Sequence, residues 1–82
     1  MTGIHPALKG RTVSVLGGTG PQGRGLARRF ASAGVPVSIG SRNAKRAEET
    51  AAYLSLATGG QVSGAANADA ARAGDIVIVA VP

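Results

Sequence analysis

The run R-T-V-S-V-L-G-G-T-G-P-Q-G-R-G, Arg11 to Gly25, decides the fold. Its first part, Arg11 to Leu16, alternates and is rich in β-branched residues, which specifies a strand. A glycine-dense segment, Gly17 to Gly25, follows. From Pro21 to about Ala33 the period becomes helical, with Leu26, Ala27, Phe30 and Ala31 on one face and Arg24, Arg28, Arg29 and Ser32 turned away. Pro21 suits a first helical turn, where its missing N–H costs nothing, and Gly34 suits the stop. Strand, glycine turn and helix, in that order, form the first part of a β-α-β unit.

The same grammar continues downstream. Val35 to Ile39 read as a second strand, with Pro36 near its start. A second helix is expected over Ala44 to Ala57, with Ala47, Ala51 and Leu54 as its buried stripe and Ser41 or Asn43 as its cap. Thr58, Gly59 and Gly60 end it. Gln61 to Ala65 read as a short third strand, and Asn67 to Ala73 as a short helix stopped by Gly74. Asp75 to Val81, D-I-V-I-V-A-V, is a continuous apolar run, the pattern of a strand buried on both faces. Alternating strands and helices with short links imply a parallel sheet, because each crossover helix returns the chain to the same end. The expected architecture is α/β: a Rossmann-like doubly wound parallel sheet, β-α-β-α-β-α-β, over residues 11–82, preceded by an arm over residues 1–10. The run ends at the C-terminal side of the fourth strand, the ligand side in such folds. No further element covers that strand's edge, so the sequence is expected to be the N-terminal portion of a longer chain. The alternative is a complete small α/β domain, which would leave an apolar edge strand open.

Composition narrows the chemistry. There is no Cys, which excludes disulfides and thiolate metal sites. With four acids and a single His, His5 in the arm, a metal centre is not expected. The apolar content is mostly Ala and Val, with Phe30 and Tyr53 the only aromatics, so the helices bury little area each and a neighbouring domain is expected to help. The net charge is +5, but the basic residues divide between Arg24, Arg28 and Arg29 in one segment and Arg42, Lys45 and Arg46 in another, without aromatics between them. That is not the footprint of nucleic-acid binding. No segment is long and apolar enough to span a membrane, and the N-terminus lacks an apolar signal region, so the cytoplasm is the expected location.

Gly18-Thr19-Gly20-Pro21-Gln22-Gly23 matches G-x-G-x-x-G, and it lies between a strand and a helix, the context that gives the motif meaning. In that reading Gly18 permits the tight turn, Gly20 admits a pyrophosphate without a Cβ in the way, and Gly23 lets the helix lie close to the strand. The free N–H groups of the first helical turn, from Gln22 and its neighbours because Pro21 has none, face the phosphates. Gly17, Gly20 and Gly23 also satisfy G-x-x-G-x-x-G, a spacing found in relatives of the short-chain dehydrogenases. The loop alone therefore does not choose a family. No Gly-Lys-Ser/Thr follows, which excludes a Walker A loop.

The next decisive stretch is V-S-I-G-S-R-N-A-K-R, Val37 to Arg46, which contains no acid. An acid after the second strand would accept from the adenosine ribose hydroxyls and repel a 2′-phosphate. Ser41 and Arg42 stand there instead. A guanidinium offers a planar fork to phosphate oxygens and stacks on adenine. Arg46 lies four residues beyond Arg42, close enough on a helical turn to converge on one anion. Cations at a helix start oppose its dipole, so an anionic partner explains them better than solvent does. The stretch reads as a pocket for NADP(H) rather than NAD(H).

The segments V-L-G-G-T-G-P-Q-G-R-G-L-A, I-G-S-R with a basic residue four further on, and G-D-I-V-I-V-A-V-P together resemble the NADPH-dependent F420 reductases, from Arg11 to Pro82. The final strand is shared with pyrroline-5-carboxylate reductases. The resemblance implies an oxidoreductase that passes a hydride between NADP(H) and the deazaflavin coenzyme F420. It implies that Thr19, Gly20, Pro21 and Gln22 contact the pyrophosphate, that Ser41, Arg42 and Arg46 hold the 2′-phosphate, and that Val81 and Pro82 border the nicotinamide half. The family often has Lys where Arg46 stands. In such enzymes the two cofactors react face to face with no side chain as acid or base, and residues beyond Pro82 build most of the deazaflavin pocket. By that implication these residues alone should not catalyse. Independently, no Ser-His-Asp, Cys-His or paired-carboxylate site can be assembled, so the chemistry belongs to the cofactor. Small-molecule cofactors are the expected partners, and a homo-oligomer is compatible with the sequence. Two other functions share these motifs: a pyrroline-5-carboxylate reductase-like or other NADP-dependent reductase, and a non-catalytic NADP(H)-sensing module.

Overall fold

The structure, a computed structural model, describes residues 10–80. Seven elements alternate along them: β1 (Val13–Leu16), α1 (Pro21–Ser32), β2 (Val37–Ser41), α2 (Ala44–Thr58), β3 (Val62–Ala66), α3 (Asn67–Ala73) and β4 (Ile76–Val79). The strands form one sheet in the order β3-β2-β1-β4, and every neighbouring pair is parallel. The doubly wound α/β expectation holds.

Register divides the sheet into two faces. Val13 and Val15 of β1 pair with Val37 and Ile39 of β2 and with Ile76 and Ile78 of β4. These side chains form the main core with Ala27 and Ala31 of α1 and Ala47, Ala51 and Leu54 of α2. The alternate residues, Ser14, Ser38, Leu16 and Gly40, face α3. There the Ser14 hydroxyl is buried and donates to the Ala70 carbonyl, which satisfies it.

Small residues make this packing possible. A Cβ added at Gly64 of β3 would strike the Ala47 backbone, and one at Gly40 would stand 3.0 Å from the Ala70 Cβ. The helices therefore rest almost directly on the sheet, and close contact replaces the area that larger side chains would bury.

Element ends have local causes. At the end of α1, Gly34 is left-handed (φ 89°), and the Gly34 and Val35 amides donate to the carbonyls of Ala31 and Phe30. That is a Schellman closure. Asn43 caps α2 by accepting from the Arg46 amide at 3.1 Å, and the Ser41 Oγ accepts from the Asn43 amide at 3.2 Å. Both candidate caps therefore act, one on the helix and one on the turn before it. The second strand starts two residues later than its sequence suggests, because the Val35 amide is spent on the Phe30 carbonyl and Pro36 has no N–H to give a neighbouring strand. It continues through Ser41, which pairs with Ala66.

The expectation of a fourth strand buried on both faces is corrected. Ile76 and Ile78 are partly covered, but Val77 and Val79 are 45% and 63% exposed. β4 is an edge strand, and α3 packs over β1, β2 and β3 instead. An apolar run shows that both faces are apolar, not that both are covered. No described helix is long and apolar enough to cross a membrane. Most of the arm, including His5, lies outside the described residues.

Candidate functional site

The chain leaves β1 into a turn closed by the Gly20 amide on the Gly17 carbonyl at 3.2 Å. Gly17, not Gly18, takes the left-handed conformation there (φ 76°), which corrects the role expected for Gly18. That geometry turns the successive amides of Gly17 and Gly18 onto one acceptor, the Gly40 carbonyl of β2, at 2.9 and 3.0 Å. Gly18 is required for a different reason: a Cβ on it would stand 2.5 Å from the Ile39 Cγ2. Gly23 acts as expected, since its Cβ would fall 2.5 Å from the Gly17 carbonyl oxygen. Gly20 faces open space, with only the Gly17 oxygen at 3.7 Å from its would-be Cβ.

This wiring determines which amides are free. Those of Gly17 and Gly18 are engaged within the sheet. The first intrahelical bond of α1 runs from the Arg24 amide to the Gly20 carbonyl at 2.9 Å. The Gln22 and Gly23 amides lie ahead of it, without intrahelical acceptors. Among the described residues no backbone carbonyl accepts from the Thr19 amide either. α1 has no acid in its first turn, so the positive end of its dipole is not neutralised locally.

β2 delivers the second half of the site. Ser41 is the last residue of the strand and is buried, and Arg42 begins the turn into α2. The first turn of α2 carries Lys45 and Arg46 and no acid. Among the described residues the one ion pair joins Arg72 to Asp69 at 2.9 Å, far along the chain, so no carboxylate is paired with Arg42, Lys45 or Arg46. The Ser41 hydroxyl accepts from the Asn43 amide and retains its own proton for a further acceptor.

These parts meet. Gly17, Thr19, Ser41, Arg42, Asn43, Arg46 and Asn67 line one concavity of about 460 Å³ at the C-terminal ends of β1, β2 and β3. Of the residues singled out in the sequence, Thr19, Ser41, Arg42 and Arg46 are brought together here. Gly18 and Gly23 are buried beneath the loop. Pro21 lines a separate shallow surface with Arg24, Arg28 and Tyr53, and Gln22 is exposed at the start of α1. Val81 and Pro82 lie outside the described residues. Asn43 enters the site through the cap it makes. Asn67 and the Gly40 carbonyl were not foreseen. The only sequence signal for Asn67 is its place at the end of a strand, on the side where ligands bind in such sheets.

The arrangement is a cationic hollow with free backbone donors beside it, suited to a ligand carrying more than one phosphate. Its described lining of guanidinium, hydroxyl and carboxamide groups can bind and orient such a ligand. The family model for "NADP oxidoreductase coenzyme F420-dependent" matches residues 12–82. The chain is similar to the F420-dependent NADP reductase of Methanothermobacter thermautotrophicus, 48% identical over 73 residues, covering 85% of this chain and 32% of the relative. It is also similar to that of Methanocaldococcus jannaschii, 44% identical over 75 residues, covering 85% of this chain and 33% of the relative. It thus spans about a third of the length of the curated relatives it matches. Among solved structures, the Pseudomonas aeruginosa RhlG/NADP active-site complex matches with a TM-score of 0.61 and 29% identity, over 95% of this chain and 26% of that one.

Proposed function

The chain belongs to the family of coenzyme F420-dependent NADP oxidoreductases, and from that membership we propose that it is the NADP(H)-binding part of an enzyme exchanging hydride between NADP(H) and F420. One observation carries the reading: Ser41, Arg42 and Arg46 share a concavity with Thr19, and no described carboxylate is paired with either guanidinium.

The residues fit the cofactor. Arg42 and Arg46 can each present guanidinium donors to a 2′-phosphate, with the Ser41 hydroxyl as a third donor. The free amides of Thr19, Gln22 and Gly23 suit a pyrophosphate, and the bare Gly20 backbone lets it approach. Pro21 fixes the helix start without competing for the anion. Val81 and Pro82 are proposed to border the nicotinamide. When bound, the nicotinamide supplies or receives the hydride, and F420 is its exchange partner. The protein's part is to fix the adenosine end and the phosphates so that the nicotinamide ring lies in one place. No side chain need act as acid or base.

A chimera tests the activity. Residues 12–82 are exchanged for the matching third of the Methanothermobacter relative, and loss of the deazaflavin's visible absorbance is followed with NADPH. Exchange activity is expected. A chimera that folds and binds NADPH but reduces no F420 would contradict the assignment of F420 as partner. It would favour a reductase with another acceptor or a non-catalytic sensor.

A further inference from the structure

We propose that Asn43 is a positioning residue for coenzyme choice: its neutral carboxamide caps α2 so that Arg42 and Arg46 share one hollow, and it does so without placing a negative charge beside the 2′-phosphate. This rests on the NADP(H) reading of the site and deepens it.

The amides at a helix start need acceptors from outside the helix. At α2 two neutral side chains supply them. The Asn43 Oδ1 accepts from the Arg46 amide at 3.1 Å, and the Ser41 Oγ accepts from the Asn43 amide at 3.2 Å. In a capping box the acceptor for the cap's own amide is a Glu or Gln three residues inside the helix, reaching back. Here Arg46 holds that place. Ser41, two residues before the cap, takes over the task, and the Arg46 side chain is left to the hollow.

The two hydrogen bonds tie residues 41–46 into one turn. Ser41, Arg42, Asn43 and Arg46 of that turn line the concavity, whereas Ala44 and Lys45 do not. Arg42 and Arg46 are exposed, and no described carboxylate holds either of them. Long side chains without partners sample many rotamers, so the backbone from which they start keeps them near each other. The bond from the Arg46 amide fixes that backbone at one arginine. The bond between the Asn43 amide and Ser41 fixes it on both sides of the other.

The residue type carries the second half of the inference. Asn, Asp and Ser are nearly equal as caps, and the helix dipole favours Asp. An Asp at this place would stand beside two guanidiniums and repel a phosphate dianion. The chain uses an amide and a hydroxyl where an acid would serve the helix at least as well.

The test titrates the chain with NADPH and NADH, as wild type, Asn43→Ala, Asn43→Ser and Asn43→Asp, with thermal midpoints measured without ligand. Asn43→Ala should bind NADPH roughly threefold to tenfold more weakly and NADH less than about twofold more weakly, because binding the 2′-phosphate must then re-form the turn. Asn43→Ser should restore the wild-type NADPH-to-NADH ratio. Asn43→Asp should keep or raise the midpoint yet bind NADPH roughly tenfold more weakly at low salt, with the loss shrinking as ionic strength rises. A cap that serves stability alone would lower the midpoint of Asn43→Ala and leave the ratio unchanged in every variant, which overturns the inference. An unrestored ratio in Asn43→Ser, or an unaltered one in Asn43→Asp, overturns it too. If Asn43→Ala does not fold, the other two variants decide: Ser should keep the ratio and Asp should lose it. If folded wild type shows no preference for NADPH, the NADP(H) reading fails first and the inference falls with it.

Discussion

Arg42 and Arg46 differ from Arg72 in what stands beside them. Arg72 has Asp69 one helical turn away, whereas the two site arginines face a hollow and no described carboxylate. Guanidinium groups left without partners beside a helix start raise the local potential, and a bound phosphate relieves it. Arg42→Ala should therefore weaken NADPH binding by about 1.5–3 kcal/mol, the range for a charge-assisted hydrogen bond. NADH binding should change by less than about threefold. Equal losses for both nucleotides would show that Arg42 does not read the 2′-phosphate. Lys45→Ala should do less than Arg42→Ala, because Lys45 does not line the concavity. These cations were legible in the sequence, because an acid-free strand end is a pattern of residue types. Asn67 was not, because its place beside the hollow exists only once strand and helix are packed. The reassignment from Gly18 to Gly17 has a similar cause. The motif gives the glycine spacing, but the hydrogen bonds to Gly40 decide which glycine takes the left-handed turn.

The helices were legible element by element where their periodicity was strict. Ala47, Ala51 and Leu54 mark the buried stripe of α2 in both the sequence and the fold. What periodicity does not reveal is how closely an element approaches its neighbour, and two glycines separate these cases. Gly64 lies under α2, and an added Cβ would meet the Ala47 backbone, which cannot swing aside as a side chain can. Gly64→Ala should cost about 1–3 kcal/mol in urea unfolding, the usual penalty of overpacking. Gly25 lies within α1, is exposed, has nothing within 4 Å of its would-be Cβ, and is not left-handed. Gly25→Ala should stabilise by about 0.5–1 kcal/mol, because Ala loses less conformational freedom in a helix. The two substitutions are chemically identical and opposite in predicted sign. Stabilisation by both would mean that α2 lies farther from β3 than this contact requires, and destabilisation by both that Gly25 is needed for more than helix formation.

For the molecule as a whole, sheet order sets the remaining exposed features. With β1 central and β4 at the edge, the face of β4 carrying Val77 and Val79 stays open among the described residues. The apolar run predicted a strand but could not say which neighbour would cover it, since that depends on where α3 crosses. Replacing both valines by Thr should change unfolding free energy by no more than about 0.5 kcal/mol per site, as for other surface positions. It should also reduce self-association in sedimentation, because exposed apolar edge strands invite pairing. A loss several times larger would show that Val77 and Val79 are covered in the folded chain.

The central claim is that the cationic hollow at the strand ends reads the 2′-phosphate. Parallel titration of the chain with NADPH and NADH tests it most directly. The account predicts that NADPH binds roughly tenfold or more tightly at low salt, with the gap narrowing as ionic strength rises. Equal affinity for the two nucleotides, or a preference for NADH, would contradict it.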